Sequence, residues 1–90
     1  MSMIPLPVGS YSNQTGSATV TSKPTVLTGF YVNNTTSGTI IIKDGATAVS
    51  GTITPAIGWH FYPVSLPSGL VITIANTLDV TLVFNQAGQT

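Results

Sequence analysis

One histidine, two aspartates and two lysines are the charged or near-neutral titrating side chains of this 90-residue chain. A nucleophilic triad would need His60 as base and a carboxylate to orient it. Asp44 precedes Gly45 in a turn-forming dipeptide, and no Gly-x-Ser-x-Gly elbow supplies a nucleophile. A glycosidase would need two carboxyl groups about 5 to 10 Å apart, and nothing in the spacing of Asp44 and Asp79 places them so. There is no glutamate and no cysteine, and one histidine with two separated aspartates falls short of a transition-metal ligand set. The expectation is a protein that is not an enzyme and uses no metal or cofactor.

The remaining side chains able to make specific contacts are aromatic, and they cluster. Pro55 to Pro63 reads PAIGWHFYP and holds the only Trp, the only His, and one each of the three Phe and three Tyr. In a strand, neighbouring side chains point to opposite faces, so Ile57, Trp59 and Phe61 share one face and His60, Tyr62 and Val64 the other. Trp59 and Phe61 are the large pieces expected to fill a core otherwise made of Val, Leu and Ile, together with Phe30 and Phe84. His60 and Tyr62 are then left outward. With Tyr31 they form an expected polar aromatic patch for another protein chain or a sugar ring, against the plain alternative of ordinary solvent-facing strand residues. Pro55 and Pro63 bracket the strand and mark one margin as a sheet edge.

Only four residues in all are charged, and the net charge is zero; an ordinary soluble domain has about 25% charged residues. Two lysines cannot release enough phosphate counterions to hold a nucleic acid, which is excluded as a partner. Ser and Thr fill 24 positions instead. Thr suits strands, and Ser suits turns, so a neutral hydroxyl-rich β surface is expected. Such a surface repels its own copies only weakly, and burying its edges in a defined oligomer would aid solubility. The start of the chain, MSMIPLPVGS, lacks a signal-peptide pattern, and no window reaches the 18 apolar residues of a membrane span. No membrane partner and synthesis in a cytoplasm are the expectations.

One domain is what this length holds. Residues 1–17 read as an extended arm: Pro5 and Pro7 fix the backbone and remove donors, leaving Ile4, Leu6 and Val8 as apolar contacts for the chain's own domain or a neighbouring subunit. Residues 18–90 read as a single domain of short strands at 18–22, 25–33, 39–43, 47–54, 57–64, 70–75 and 78–84, with no helical period. A two-residue turn at Asp44-Gly45 would pair Lys43 with Ala46. A three-residue loop, Ala75-Asn76-Thr77, would close a last hairpin with Ile74 facing Leu78 and Ile72 facing Val80. Inward alternation of Val26, Phe30 and Val32, of Ile40 and Ile42, and of Leu78, Val80, Leu82 and Phe84 predicts two packed antiparallel sheets: all-β, a small jelly-roll-like β-sandwich with an extended N-terminal arm.

Two blocks, LTGFYVNNTTSGTIIIKDG and GWHFYPVSLPSGLVITI, lie within residues 27–84. That region resembles small β-sandwich proteins encoded among the structural genes of tailed bacteriophages. The resemblance implies a non-enzymatic virion component made in the host cytoplasm, a homo-oligomer and most simply a trimer. A capsid decoration or cement protein fits best: arm and domain would bridge subunits of the major capsid protein, and binding only the assembled shell stabilises it by mass action. No capsid-contact motif marks the binding face. A carbohydrate- or receptor-binding module of a fibre or tail is the rival, and it requires Trp59 to be exposed. A Thr-ladder ice-binding surface is a further rival, prompted by Thr19-x-Thr21 and Thr52-x-Thr54, which are too few for a flat array.

Overall fold

The computed structural model describes residues 10–86; Ile4, Leu6 and Val8, the expected contacts of the arm, lie outside them. Two long strands carry the architecture. β3 (Thr25–Asp44) and β6 (Leu70–Gln86) pair antiparallel from Thr25 opposite Gln86 to Asp44 opposite Leu70. β1 (Ser10–Gln14) and β2 (Ala18–Thr21) flank β6 at its C-terminal and N-terminal halves. β4 (Thr47–Ala48) and β5 (Gly58–Leu66) flank β3 at its end and its beginning. All six belong to one antiparallel sheet, and the described residues contain no helix. At one end of the central ribbon the strands run β1-β6-β3-β5; at the other, β2-β6-β3-β4.

Ser10 to Gln14 are therefore sheet, not arm: Tyr11 stands opposite Val83 and Asn13 opposite Thr81. Their alternation of Tyr and Asn with Ser and Gln suits an edge strand with one solvent face.

The expected breaks at residues 34–38 and 75–77 do not reverse the chain. Ile74 lies opposite Ile40, and Leu78 opposite Thr35, so no hairpin joins Ile74 to Leu78. The turn-forming residues bend the ribbon instead. Ser37 and Asn76 take left-handed conformations, with φ of 54° and 61°. Asn76 Nδ2 donates to the Ser37 carbonyl at 2.8 Å, and the Gly38 amide donates to Thr35 Oγ1 at 3.0 Å. Each local signal for a turn is real, but the pairing along the whole ribbon decides its use: a shift of register in place of a reversal.

The β3–β4 hairpin turns one residue later than expected. Asp44 pairs with Thr47 and Lys43 with Ala48, leaving Gly45 and Ala46 at the tip. Gly45 takes φ of 60° at the first central position, which a type II′ turn reserves for glycine. Asp44 is then free to accept from the Ser68 amide at 2.7 Å, tying this turn to the one before β6.

The core is a stripe of buried side chains along the ribbon: Leu27, Phe30, Val32, Ile40 and Ile42 of β3, and Leu70, Ile72, Leu78, Val80, Leu82 and Phe84 of β6, with Leu66 of β5. Val26 is outward, contrary to the simple alternation. Between Leu27 and Gly29 the register slips on both neighbours of β3, so the extra residue Thr28 resets the phase and Leu27 takes the inward place. Trp59 and Phe61 are not core residues: they are 46% and 68% exposed. Register explains this. Phe30 is buried and stands opposite His60, while the exposed Tyr31 stands opposite Trp59. Directly opposed residues of an antiparallel pair project on the same side, so Phe30 draws His60 inward and leaves Trp59 out.

Candidate functional site: the outward aromatic face

β5 divides its aromatics by parity. His60, Tyr62, Val64 and Leu66 point towards the core; Trp59, Phe61, Pro63 and Ser65 point away. The inward pair has structural work. His60 stacks on Phe30 with ring centroids 5.2 Å apart, and its Nε2 lies 2.8 Å from the Ala56 carbonyl, which closes the loop leading into β5. Tyr62 packs against the core and donates its hydroxyl to the Val49 carbonyl at 3.2 Å. The expected patch of Tyr31, His60 and Tyr62 is therefore not formed: Tyr31 lies on one face of the sheet and the other two on the opposite one.

Tyr31 has other neighbours. Across the four strands at this end the register sets two rows, Tyr11–Val83–Gly29–Phe61 and Asn13–Thr81–Tyr31–Trp59. Trp59 leans diagonally onto the glycine of the first row. A Cβ on Gly29 would lie 2.9 Å from Cζ2 of the indole and would clash with the His60 carbonyl oxygen. Only glycine leaves the backbone open to this contact, so Gly29 seats the tryptophan. Tyr11 is 77% exposed and Tyr31 45%, with Ile57 exposed just before β5 and Val26 exposed on β3. Six large apolar side chains thus lie in solvent at one end of a small domain, a concentration that in monomeric proteins marks a contact surface.

Beside the aromatics is a polar group. Asp79 Oδ1 accepts from Asn13 Nδ2 at 2.7 Å and from Asn33 Nδ2 at 3.3 Å, and both amides also donate to Thr81 Oγ1, at 3.2 and 3.0 Å. These bonds join β1, β3 and β6 across the outer face. They bond Oδ1 of the one carboxylate present there through neutral amides, so the group is held in place and keeps its negative charge. Asp79 stands opposite Asn34 in the middle of the ribbon and Asp44 opposite Leu70 at its end, ten residues apart along β3; at about 3.3 Å per residue they are too far apart to act together. Among the described residues no group of three or more His, Asp or Glu could hold a metal, and no helix is long and apolar enough to cross a membrane.

No family model matches the chain, and no curated protein and no solved structure matches it. The reading of function therefore rests on the outer face itself.

Parity groups the residues of PAIGWHFYP correctly, but side-chain volume puts the wrong group on that face. The corrective signal lies further along the strand: Leu66 and Val64 continue the parity of His60 and Tyr62, and Pro63 and Ser65 that of Trp59 and Phe61. Over nine residues the aliphatic set is the even one.

Proposed function

We propose that this chain is a non-enzymatic structural protein of a virion, of the capsid decoration or cement type, binding through its outward aromatic face. The observation that carries the reading is the exposure of Trp59, Phe61, Tyr31 and Tyr11 together on a face whose single carboxylate is already bonded. Aromatic enrichment and depletion of charge are what distinguish the centre of a protein interface from ordinary surface. The major capsid protein is the partner in this reading, with copies of the chain forming a homo-oligomer, most simply a trimer. A jelly-roll-like sandwich with an N-terminal arm is the matching architecture. It is supported by two features: buried side chains from both ends of the ribbon form one cluster, and Tyr62 of β5 reaches Val49 beside β4. The test is cosedimentation of the purified full chain with shells assembled from the major capsid protein of the same genome. Saturable binding that raises the temperature at which the shells open is expected; a chain that stays in the supernatant overturns the reading.

A second reading is favoured by one observation. Trp59 and Tyr31 are opposed on the outer face beside the amides of Asn13 and Asn33, an arrangement that a neutral sugar ring could stack on and bond to. In that case the chain is a carbohydrate-binding module of a fibre or tail. Titration of Trp59 emission with neutral oligosaccharides separates the two, since a protein-docking face gives no saturable change.

A further inference from the structure

We infer that the outer face of β1-β6-β3-β5 is where a second copy of this chain docks. The inference rests on the reading of this face as a protein-docking one, and makes a second copy, in place of the capsid protein, its occupant.

Three features favour a like partner. The face carries no lysine or arginine among its described residues, so an anionic partner finds no counter-charge there, and each copy brings to the contact a single carboxylate, Asp79, whose Oδ1 accepts from Asn13 and Asn33. The apolar residues, moreover, outrun what a sugar ring would cover: Phe61 and Ile57 are 68% and 62% exposed, and neither offers a hydrogen bond. Area is the third. At about 150 to 250 Å² per aromatic side chain, the exposed parts of Tyr11, Tyr31, Trp59 and Phe61 total on the order of 500 Å². With Val26, Ile57 and the Val83 and Thr81 backbone between them, the face approaches the roughly 800 Å² per partner of a stable interface.

A self-complementary patch is the requirement of a two-fold contact, in which residue i meets j and j meets i across the axis; such a contact makes a dimer, where the resemblance implies a trimer. The two rows supply an uneven surface that can serve as both partners of such a contact: Phe61 and Trp59 end them on β5, and Tyr11 and Asn13 end them on β1. Trp59, seated on Gly29, is the rigid element at the centre of the β5 side.

The test compares light-scattering masses of the full chain, of the Ile57→Ser/Phe61→Ser double variant, and of a chain lacking residues 1–9, over a hundredfold dilution. Circular dichroism and thermal unfolding confirm that the double variant keeps the fold. The expected result is a full chain at twice the monomer mass or a higher multiple, a double variant whose mass falls at least twofold at matched concentration, and a shortened chain that keeps the full-length state. A full chain that is monomeric throughout overturns the inference, as does an oligomer unaffected by the double variant or lost only on removal of residues 1–9. Cosedimentation with shells keeps the two readings apart: a monomeric chain that still binds shells refutes self-docking and leaves the decoration role standing.

Discussion

The indole of Trp59 rests on Gly29, the residue diagonally across the β3–β5 pair, at a separation that leaves no room for a Cβ. A side chain there would displace the indole and strike the His60 carbonyl, which lies in the backbone and cannot swing away. Gly29→Ala is therefore expected to destabilise the protein by about 1–3 kcal/mol, the usual cost of forcing extra volume into a filled site. Denaturant unfolding followed by circular dichroism measures it. A variant as stable as the parent would show that Trp59 does not sit there.

The two phenylalanines flanking the β3–β5 register have opposite roles. Phe30 is 1% exposed and stacked on His60, whereas Phe61 is mostly in solvent. Phe30→Ala should cost about 3–5 kcal/mol, enough to unfold a marginal domain of this size. Phe61→Ala, measured on dilute protein, should stay within about 1 kcal/mol. Reversed costs would restore the core role that side-chain volume suggests for Phe61.

Asn76 is held in a left-handed conformation and bonds to the Ser37 carbonyl from across the ribbon. Alanine lacks both the amide and the tolerance of asparagine for that conformation. Asn76→Ala should cost roughly 1–2 kcal/mol, combining a lost hydrogen bond with backbone strain. Asn76→Gly removes the bond but eases the backbone, so it should cost less than the alanine variant. Chemical unfolding of the two side by side checks that order.

Asp79 fastens β1 to the sheet through Asn13. Removing the carboxylate leaves a five-residue edge strand with fewer ties. In Asp79→Ala, amide hydrogen exchange across residues 11–14 should speed up several-fold while the β3–β6 ribbon keeps its protection. Uniform acceleration along the chain would mean that the polar group supports the whole fold.

Much of the architecture can be read from the residues. The all-β class and the inward stripe of Ile40, Ile42, Leu78, Val80, Leu82 and Phe84 follow from alternation and from the absence of a helical period, while the strand expected at 47–54 is only Thr47–Ala48 with an isolated bridge from Ile53 to Ile40. What alternation misses is long-range pairing. The residues NNTTSG and ANT carry turn chemistry, yet β3 and β6 run through both because pairing over the full ribbon keeps Ile40 opposite Ile74 and Val32 opposite Val80. The candidate site was displaced for a related reason. Assigning the two bulkiest aromatics of β5 to the core is sound by volume, but Phe30 with its neighbouring Leu and Ile already fills that space, and the strand's face is fixed by its register against β3. The Thr28 bulge and the seat at Gly29 depend on contacts between strands distant in the sequence, which local spacing does not encode.

The central claim is that Trp59 points away from the core. As the only tryptophan, it can be tested without labelling by acrylamide quenching of its emission in the Ile57→Ser/Phe61→Ser variant, where a second copy would no longer cover it. The account predicts red-shifted emission and quenching in the folded variant approaching that of the urea-unfolded chain. Blue-shifted emission with little quenching, in a variant shown to be folded and monomeric, would put Trp59 in the interior and contradict it.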